Sequence, residues 1–537
     1  MRSLTKHLFL LMMLLSALSS VQASVFFNNR LQFTTINDSQ CYVSGCHDIY
    51  GNVVVPEVAE NEGLLYQVVS IGDEAFSNCR DLLSITIPNS VITIGHYAFS
   101  DCLKLKTVII PETLETLGQS VFVGCSSLTS INLPCSLTYI PMYTFSGCCN
   151  LTSISIPNSV TSIGECAFAG CYSLRTIVIP NAITVINAGA FEKCTSLESV
   201  VLPYSIVTIG DGAFKQCKGL KSVSIPNMVT NIGREAFSEC VNLKSINIPC
   251  SVTCIGAKAF EYCASLLSVT IPNDLAYIGD LAFSNCTNLT SVYFYAEKCE
   301  KMGSDGRSVF KDCPKLISLT IGDNVTIIPN EAFQYCESLR SVVIPNTVTY
   351  VGDNSFCECN NLTSVIIPNS VNYVGHYAFA YCRALKKVTI GGSVKAIGVY
   401  PFIGCFDITN ISVDRNNKIY DSRDNCNALI NSSTNTLVVG CRNTIIPNSV
   451  KIIGEYAFYG CNGLTSVVIP GSVRSIGDSA FCECNNLTSV IIPNSVKTIG
   501  ESAFQGCTKL ITVSLPKSVN IDNTAFFGCP FDPFRTE

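Results

Sequence analysis

The chain contains no tryptophan and only four histidines, and charged residues make up just 14% of it. A globular protein usually carries roughly 25% charged residues. The formal net charge of −6 is mild for 537 residues, and no basic face is concentrated enough to hold a phosphate backbone, which argues against a nucleic-acid partner. Without tryptophan, the usual platform for a sugar ring is missing. The histidines are His7, His47, His96 and His376. His47 merely follows Cys46, and adjacency alone makes no catalytic dyad. His96 and His376 share one variable repeat position, where solvated surface is the plain expectation. There is no nucleophile elbow, no HExxH and no phosphate loop. The C-x-C pairs Cys357/Cys359 and Cys482/Cys484 have no nearby histidine and do not read as zinc ligands. No enzyme activity, cofactor or metal is therefore expected.

Long apolar runs are also scarce. One lies at the start: Arg2, Lys6 and His7 precede an apolar stretch from Leu8 to Leu18, and Val21-Gln22-Ala23 offers small residues for cleavage near Ala23. A membrane helix needs about 20 apolar residues, so this run reads as an export signal over residues 1–23 and not as an anchor. No later run could span a membrane. The first cysteine is Cys41, so the cleavage point offers none for a lipid anchor. The expected location is outside the cell, secreted or on the cell surface.

What the chain has in abundance is cysteine, 31 in all, and ten of them keep a strict interval of 23 residues from Cys79 to Cys286. Phenylalanines keep the same interval three residues earlier, from Phe76 to Phe283. A fixed period in this range marks a solenoid of stacked coils. The coil from Leu151 reads LTSISIPNSVTSIGECAFAGC. Leu151, Ile154 and Ile156 alternate with polar residues as in a short strand. Pro157 ends it, since proline cannot donate to a ladder, and Asn158-Ser159 makes a turn. Val160 and Ile163 return inward, Gly164 makes a second bend, and the spacing of Ala167, Phe168 and Cys171 predicts a short helical turn. Such a coil cannot bury its apolar side alone and needs neighbours on both sides. Strands of successive coils then form a parallel sheet, with an α/β-type repeat solenoid as the expected class. Glycine at the second bend suggests left-handed backbone. Asn187 agrees with that, but Pro141 and Pro329 at the same position do not, so the bend is expected to be tight without being left-handed in every coil.

The regularity fails in places that define segments. Residues 24–63 do not fit the repeat and read as an N-terminal β cap. Repeats run over 64–407, with one coil of 27 residues at 289–315 that carries an insert from Tyr295 to Asp305. From Cys405 to Cys461 the interval widens to 56, and 408–463 reads as enlarged repeats with projecting loops. Repeats resume over 464–529, and 530–537 is a tail.

The coils resemble the BspA-like class of leucine-rich repeats. The resemblance is carried by LTSISIPNSVTSIGECAFAGC from Leu151, LTSVIIPNSVNYVGHYAFAYC from Leu362 and LTSVIIPNSVKTIGESAFQGC from Leu487, and it covers Leu64 to Cys529. The segment Tyr420 to Cys426 resembles an island found in secreted members from Bacteroidetes. The resemblance implies a right-handed leucine-rich-repeat array with its parallel sheet on a concave face, in an exported cell-surface protein. It also implies binding of macromolecules, with adhesion to host matrix proteins or other cells as the leading expectation. A structural surface-layer or spacer protein and a glycan-binding module are the alternatives.

Candidate site residues follow from the outward strand positions. Lys106, Arg175, Lys221, Lys244, Arg340 and Lys386 flank a hydroxyl row, and Tyr293 stands out beside it. The blander reading is a solvated sheet face whose Ser and Thr merely suit a strand. The loops Ala296 to Asp305 and Asp414 to Asn435 are rival sites, because function concentrates in loops. Repeat cysteines of neighbouring coils lie within disulfide range, yet they share an apolar strip with Phe and Ala and read as buried thiols. Cys41 and Cys46 in the cap are the first disulfide candidates, Cys426 and Cys441 the next.

Overall fold

The structure is a computed structural model that describes residues 23–304, 306–531 and 533. The expected export signal lies outside the described residues, apart from Ala23. The chain divides into two compact units, one running to Leu220 and one from Lys221. Both are solenoids of stacked coils.

The first unit opens with β1 (Val25–Asn28), β2 (Leu31–Thr35) and β3 (Gln40–Cys46), an antiparallel meander. β4 (Tyr50–Val54) and β5 (Val58–Asn61) follow. β6 (Leu64–Ile71) pairs parallel with β3, and β7 (Asp81–Thr86) pairs parallel with β4. This segment therefore starts two separate ladders, one for each strand site of the coils. β8 (Thr93–Ile94) continues the first from β6, and β9 (Thr107–Ile109) continues the second from β7.

Each standard coil holds a strand of three or four residues and a second of two. In the first unit Thr176–Val178 pairs with Ser199–Val201, and Val185–Ile186 pairs with Thr208–Ile209, all parallel and in register at 23 residues. In the second unit Ser268–Ile271 pairs with Ser291–Phe294, which pairs with Ser318–Ile321. The inward residues are buried, such as Leu266, Val269, Ile271, Leu275 and Ile278 of one coil.

The expected helical turn is not there, and the α part of the α/β class falls with it. Among the described residues the only helix is a 3-10 turn at Arg423–Asn425. The reason lies in the backbone between the second strand and the cysteine. Lys258 and Tyr262 are both left-handed, each with φ of 59°. Alternate N–H groups therefore point at the next coil: Lys258 N–H donates to Asp280 O, Phe260 to Ala282 O and Tyr262 to Ser284 O, at 2.8–2.9 Å. The groups between them close local turns, with Glu261 N–H donating to Lys258 O and Cys263 N–H to Phe260 O. An α-helix would consume these groups internally and is about 10 Å wide. Coils stacked about 4.8 Å apart leave no room for it. Left-handed residues without glycine each cost about 1–2 kcal/mol; the inter-coil hydrogen bonds offset that cost.

The second-bend glycines of the standard coils, such as Gly118, Gly164 and Gly256, are not left-handed, which corrects the expectation drawn from Gly164; Gly303 of the 27-residue coil is left-handed, with φ of 73°. They are glycine because the coil behind leaves no space. A Cβ on Gly164 would lie 2.4 Å from Met142 N, one on Gly118 2.5 Å from Gly95 C, and one on Gly256 2.5 Å from Arg234 N. An ordinary φ also explains why proline is tolerated at 141 and 329.

Phenylalanine rings stack down the core. Phe168 and Phe191 lie 5.4 Å apart and 3° from parallel in the first unit, and Phe260 and Phe283 lie 5.0 Å apart at 6° in the second. Beside them most of the repeat cysteines are buried thiols. Most donate to the phenylalanine carbonyl of the preceding coil: Cys194 Sγ to Phe168 O at 3.2 Å, Cys286 Sγ to Phe260 O at 3.3 Å. A thiol is the small apolar group that can also satisfy this carbonyl. Burial pushes the thiols of Cys194 and Cys263 up to about 12.

Two predictions follow from this packing. Gly256→Ala should lower stability by about 1–3 kcal/mol, the range for overpacking. Gly471→Ala, where a Cβ meets nothing within 4 Å, should be neutral or stabilise by up to about 1 kcal/mol; urea unfolding of the two variants checks this. The thiol ladder contributes to the alkaline limit, with the raised tyrosines such as Tyr400 adding to it in the same direction. The folded thiols titrate above the unfolded ones, so the unfolded chain binds fewer protons above the ordinary thiol value of 9.0. Stability should hold below that pH and fall steadily toward about pH 12, the opposite slope to that of a depressed carboxylate. Melting curves from pH 8 upward, in about unit steps, would show a flat response if the thiols were not buried and protonated.

Candidate functional site

The outward strand face offers in-register columns one coil apart. Lys106 and Arg175 in the first unit are exposed just before strands, as are Lys221, Lys244 and Lys386 in the second; Arg340 is exposed at the equivalent position of a coil with no strand there. Lys244 N–H donates to Lys221 O at 3.2 Å, so these two cations lie on adjacent rungs. Lys386 N–H donates to Thr363 O and Thr363 N–H to Arg340 O, so Arg340 and Lys386 stand two rungs apart. Tyr293 projects from its strand between Thr270 and Thr320, 37% exposed. The structure thus gathers Lys221 with Lys244 and leaves Lys106 and Arg175 three rungs apart.

A stronger feature of this face lies beside the hydroxyl row. Outward residues two positions after the hydroxyl row are large aliphatics left open to solvent. Val178 and Val201 are register partners in the first unit, and Val468 and Ile491 are partners in the second, where they are 84% and 70% exposed. Val343 and Ile366 are open on successive coils as well. The signal was present in the strand pattern, since valine and isoleucine occur where other coils carry Ser, Thr or Asn.

The two rival loops fold differently from each other. The segment from Tyr295 does not project as a loop: Lys301–Met302 forms a strand parallel to Tyr277–Ile278, Cys299 and Met302 are buried, and Lys298 Nζ meets Asp274 Oδ1 at 2.6 Å. Asp305 at its end lies outside the described residues. The wide interval forms an antiparallel meander of Tyr420–Asp421, Leu429–Asn431 and Thr436–Val439, whose last strand joins the coils by pairing with Ile452–Ile453. Asp421 and Arg423 hold it together. Burial raises the Asp421 carboxyl, but hydrogen bonds from Arg423 and Ser432 outweigh that and leave it below the ordinary value. Arg423 also donates to Asn435 Oδ1 at 2.9 Å and Ser449 Oγ at 3.2 Å.

Cys41 and Cys46 stand near opposite ends of β3 and are not brought together. Cys41 is buried, whereas Cys46 Sγ lies 3.0 Å from Cys79 Sγ. Cys426 and Cys441 each donate to a backbone carbonyl, of Ala428 and Asn427. His96 and His376 are more than solvated surface. Each Nδ1 accepts a backbone N–H from the next coil at 2.9 Å, from Gln119 and Val399. Asp73, Asp353 and Asp478 do the same with a carboxylate at 2.7–2.8 Å. This position is a side-chain cap on the following coil. Among the described residues no group of three or more His, Cys, Asp or Glu is placed to hold a metal ion, and no helix is long and apolar enough to cross a membrane.

The repeat, its register and its turn chemistry define a leucine-rich-repeat protein. The chain belongs to the BspA-type leucine-rich-repeat family, whose model matches residues 69–197, 184–306, 304–429 and 437–536. Among solved structures it is similar to a leucine-rich repeat protein from Bacteroides ovatus, at 30% identity over 73% of this chain and 95% of that one, with a TM-score of 0.59. It is also similar to a leucine-rich cell surface protein from Faecalibacterium prausnitzii, at 28% identity over 69% and 95%, with a TM-score of 0.40. No curated protein matches.

A prediction follows for the meander. Replacing Arg423 by methionine leaves Asp421, Asn435 and Ser449 without their shared donor. Hydrogen exchange should quicken over 420–437, with a cost of about 1–2 kcal/mol for a partly exposed pair. Unchanged protection there would show that Arg423 does not hold the meander.

Proposed function

We propose that the chain is an exported binding protein that engages a protein or cell-surface ligand through its outward strand face, with adhesion to host matrix proteins or neighbouring cells as its role. The observation that carries this reading is the set of large aliphatics at outward positions in register, above all Val468 beside Ile491. Strand propensity accounts for valine and isoleucine here only in part, and contiguous exposed apolar surface marks interaction sites. Lys221 and Lys244 on adjacent rungs place two positive charges on this face, which favours an acidic partner. A leucine-rich cell surface protein among the relatives is consistent with a position outside the cell. A broad face with open aliphatics suits a macromolecular contact better than a small sugar, which favours a protein ligand over the glycan module.

The test is capture of purified matrix proteins by the immobilised chain, run beside a glycan array. The double variant Val468→Asp/Ile491→Asp should weaken capture at least about tenfold, the effect of losing one or more interface anchors. Lys221→Glu/Lys244→Glu should slow association and flatten its salt dependence. Capture that neither variant changes would remove the strand face from the reading. Failure to bind any matrix protein or glycan at micromolar concentration would favour the structural spacer.

A further inference from the structure

The widened interval leaves a cleft lined by tyrosines. Tyr400 and Tyr456 hold the same repeat position on either side of the meander, and their rings meet at 4.5 Å and 61°. Tyr377 meets Tyr400 at 5.8 Å and 64°, and Tyr459 lies 5.6 Å from Tyr456. The cleft behind them, about 160 Å³, is lined by Tyr400, Pro401, Ile403, Val439, Glu455 and Tyr456 among others. In standard coils stacked phenylalanines fill the interior without a gap. Here the strand Thr436–Val439 and Gly440 intervene, and a Cβ on Gly440 would overlap the Phe458 ring.

The chemistry of the lining is specific. The steeply tilted rings form walls and not a flat platform, so a sugar has no face to lie on. An aromatic wall attracts cations through its ring quadrupole. Glu455 is the only formally charged residue in the lining, and its Oε2 accepts the Tyr400 hydroxyl at 3.2 Å. Burial, together with Glu455, pushes the Tyr400 hydroxyl up to about 12, which keeps it a neutral donor. Glu358 and Glu483 act on the neighbouring Tyr381 and Tyr459, whereas the Arg442 side chain lies over Gly463, outside the cleft. One carboxylate oxygen is already engaged, so a guanidinium could not pair with both. A quaternary ammonium needs no hydrogen bond and only aromatic faces with a nearby negative charge.

We propose that this cleft binds a quaternary ammonium group, held in the space behind Tyr400 and Tyr456, against their rings, and neutralised by Glu455. The proposal does not depend on the strand face. The test is calorimetric titration of the full chain with tetramethylammonium chloride against equal sodium chloride. Its neutral isostere 3,3-dimethylbutan-1-ol and arginine methyl ester serve as comparators, and phosphatidylcholine vesicles test whether a lipid headgroup is accepted. Saturable millimolar binding of tetramethylammonium is expected. It should weaken about tenfold in Tyr400→Ala or Tyr456→Ala and severalfold in Glu455→Gln. Tyr400→Phe keeps the ring and should bind within about threefold of the parent, which guards against misfolding of the alanine variants. Tyr204→Ala, at an exposed tyrosine elsewhere, should change nothing. Equal binding of the neutral isostere, tighter binding of the arginine ester, or no saturable binding would overturn the proposal.

A second observation stands independently. Most later repeat thiols find a phenylalanine carbonyl one coil behind, as Cys102 finds Phe76 O at 3.1 Å, but Cys79 belongs to the first coil. What it meets is Cys46 at the end of β3, 3.0 Å away. Both are partly exposed, unlike the buried ladder, so an oxidant can reach them. We infer that Cys46 and Cys79 form a disulfide joining the N-terminal strands to the first coil. The hydrogen bond from Cys46 lowers the Cys79 thiol against its burial, which makes Cys79 the attacking sulfur. Its thiolate attacks a small-molecule disulfide such as oxidised glutathione, expels one thiolate and forms a mixed disulfide. Cys46 then gives its proton to solvent and attacks the Cys79 sulfur, expelling the second thiolate. One external disulfide becomes two thiols as two protein thiols become one disulfide.

Treatment with oxidised glutathione, denaturation under alkylating conditions and non-reducing peptide mapping provide the test. The expected result is a linked Cys46–Cys79 peptide and two fewer alkylated thiols than the chain's 31 cysteines. Cys79→Ser should abolish the link and leave Cys46 alkylated. Full alkylation after treatment, or Cys46 linked to Cys41, would overturn it.

Discussion

Each coil can exist only because the next one accepts its backbone hydrogen bonds at the strand spacing on both of its sides. On the strand side this is ordinary parallel pairing. On the other side it depends on two left-handed residues per coil, such as Lys258 and Tyr262, which turn alternate N–H groups outward. Everything else is built around this ladder. The bend glycines let backbones approach, the phenylalanines stack at ring thickness, and the thiols satisfy carbonyls that the stacking leaves half used. A helix in that place would have forced the coils apart and opened the stack.

That constraint also explains where function can reside. Positions that face the neighbouring coils are committed to packing, and even His96, His376 and the aspartates after the bend serve the next coil's N–H groups. Freedom remains at outward strand positions and where the period is broken. Both are where this chain departs from small polar residues: the exposed Val468 and Ile491 on the strands, and the tyrosines beside the meander. The two kinds of site differ in character. The strand face is broad and shallow and suits a macromolecule, whereas the tyrosine cleft is narrow and carries one carboxylate, which suits a compact cation.

Much of the fold was legible in the sequence because the repeat averages over noise. Strand, proline stop, Asn-Ser turn and inward valine recur in coil after coil, so the period and the parallel register could be read directly. The helical turn was misread for a physical reason. Ala167, Phe168 and Cys171 have spacing that fits a helix, but the same spacing fits turns with left-handed residues, which sequence patterns do not distinguish when the residue is Cys, Lys or Tyr. The bend glycine was misread in a similar way: its lack of a side chain serves a neighbouring coil, and no neighbour is visible in a single repeat. The candidate cations are exposed, yet the aliphatic column beside them went unweighed, because exposure cannot be read from β-propensity.

By itself the sequence determined the period, the family, the buried columns of Leu, Ile, Phe and Cys, and the segments where the repeat fails. These follow from local chemistry repeated at a fixed interval. The tertiary structure alone decided the partners that the interval does not set: Cys46 beside Cys79 rather than Cys41, and Tyr400 beside Tyr456 across an interval of 56 residues. In both cases a non-repeating segment leaves its ends beside coils, and only the path of the folded chain determines which residues then meet.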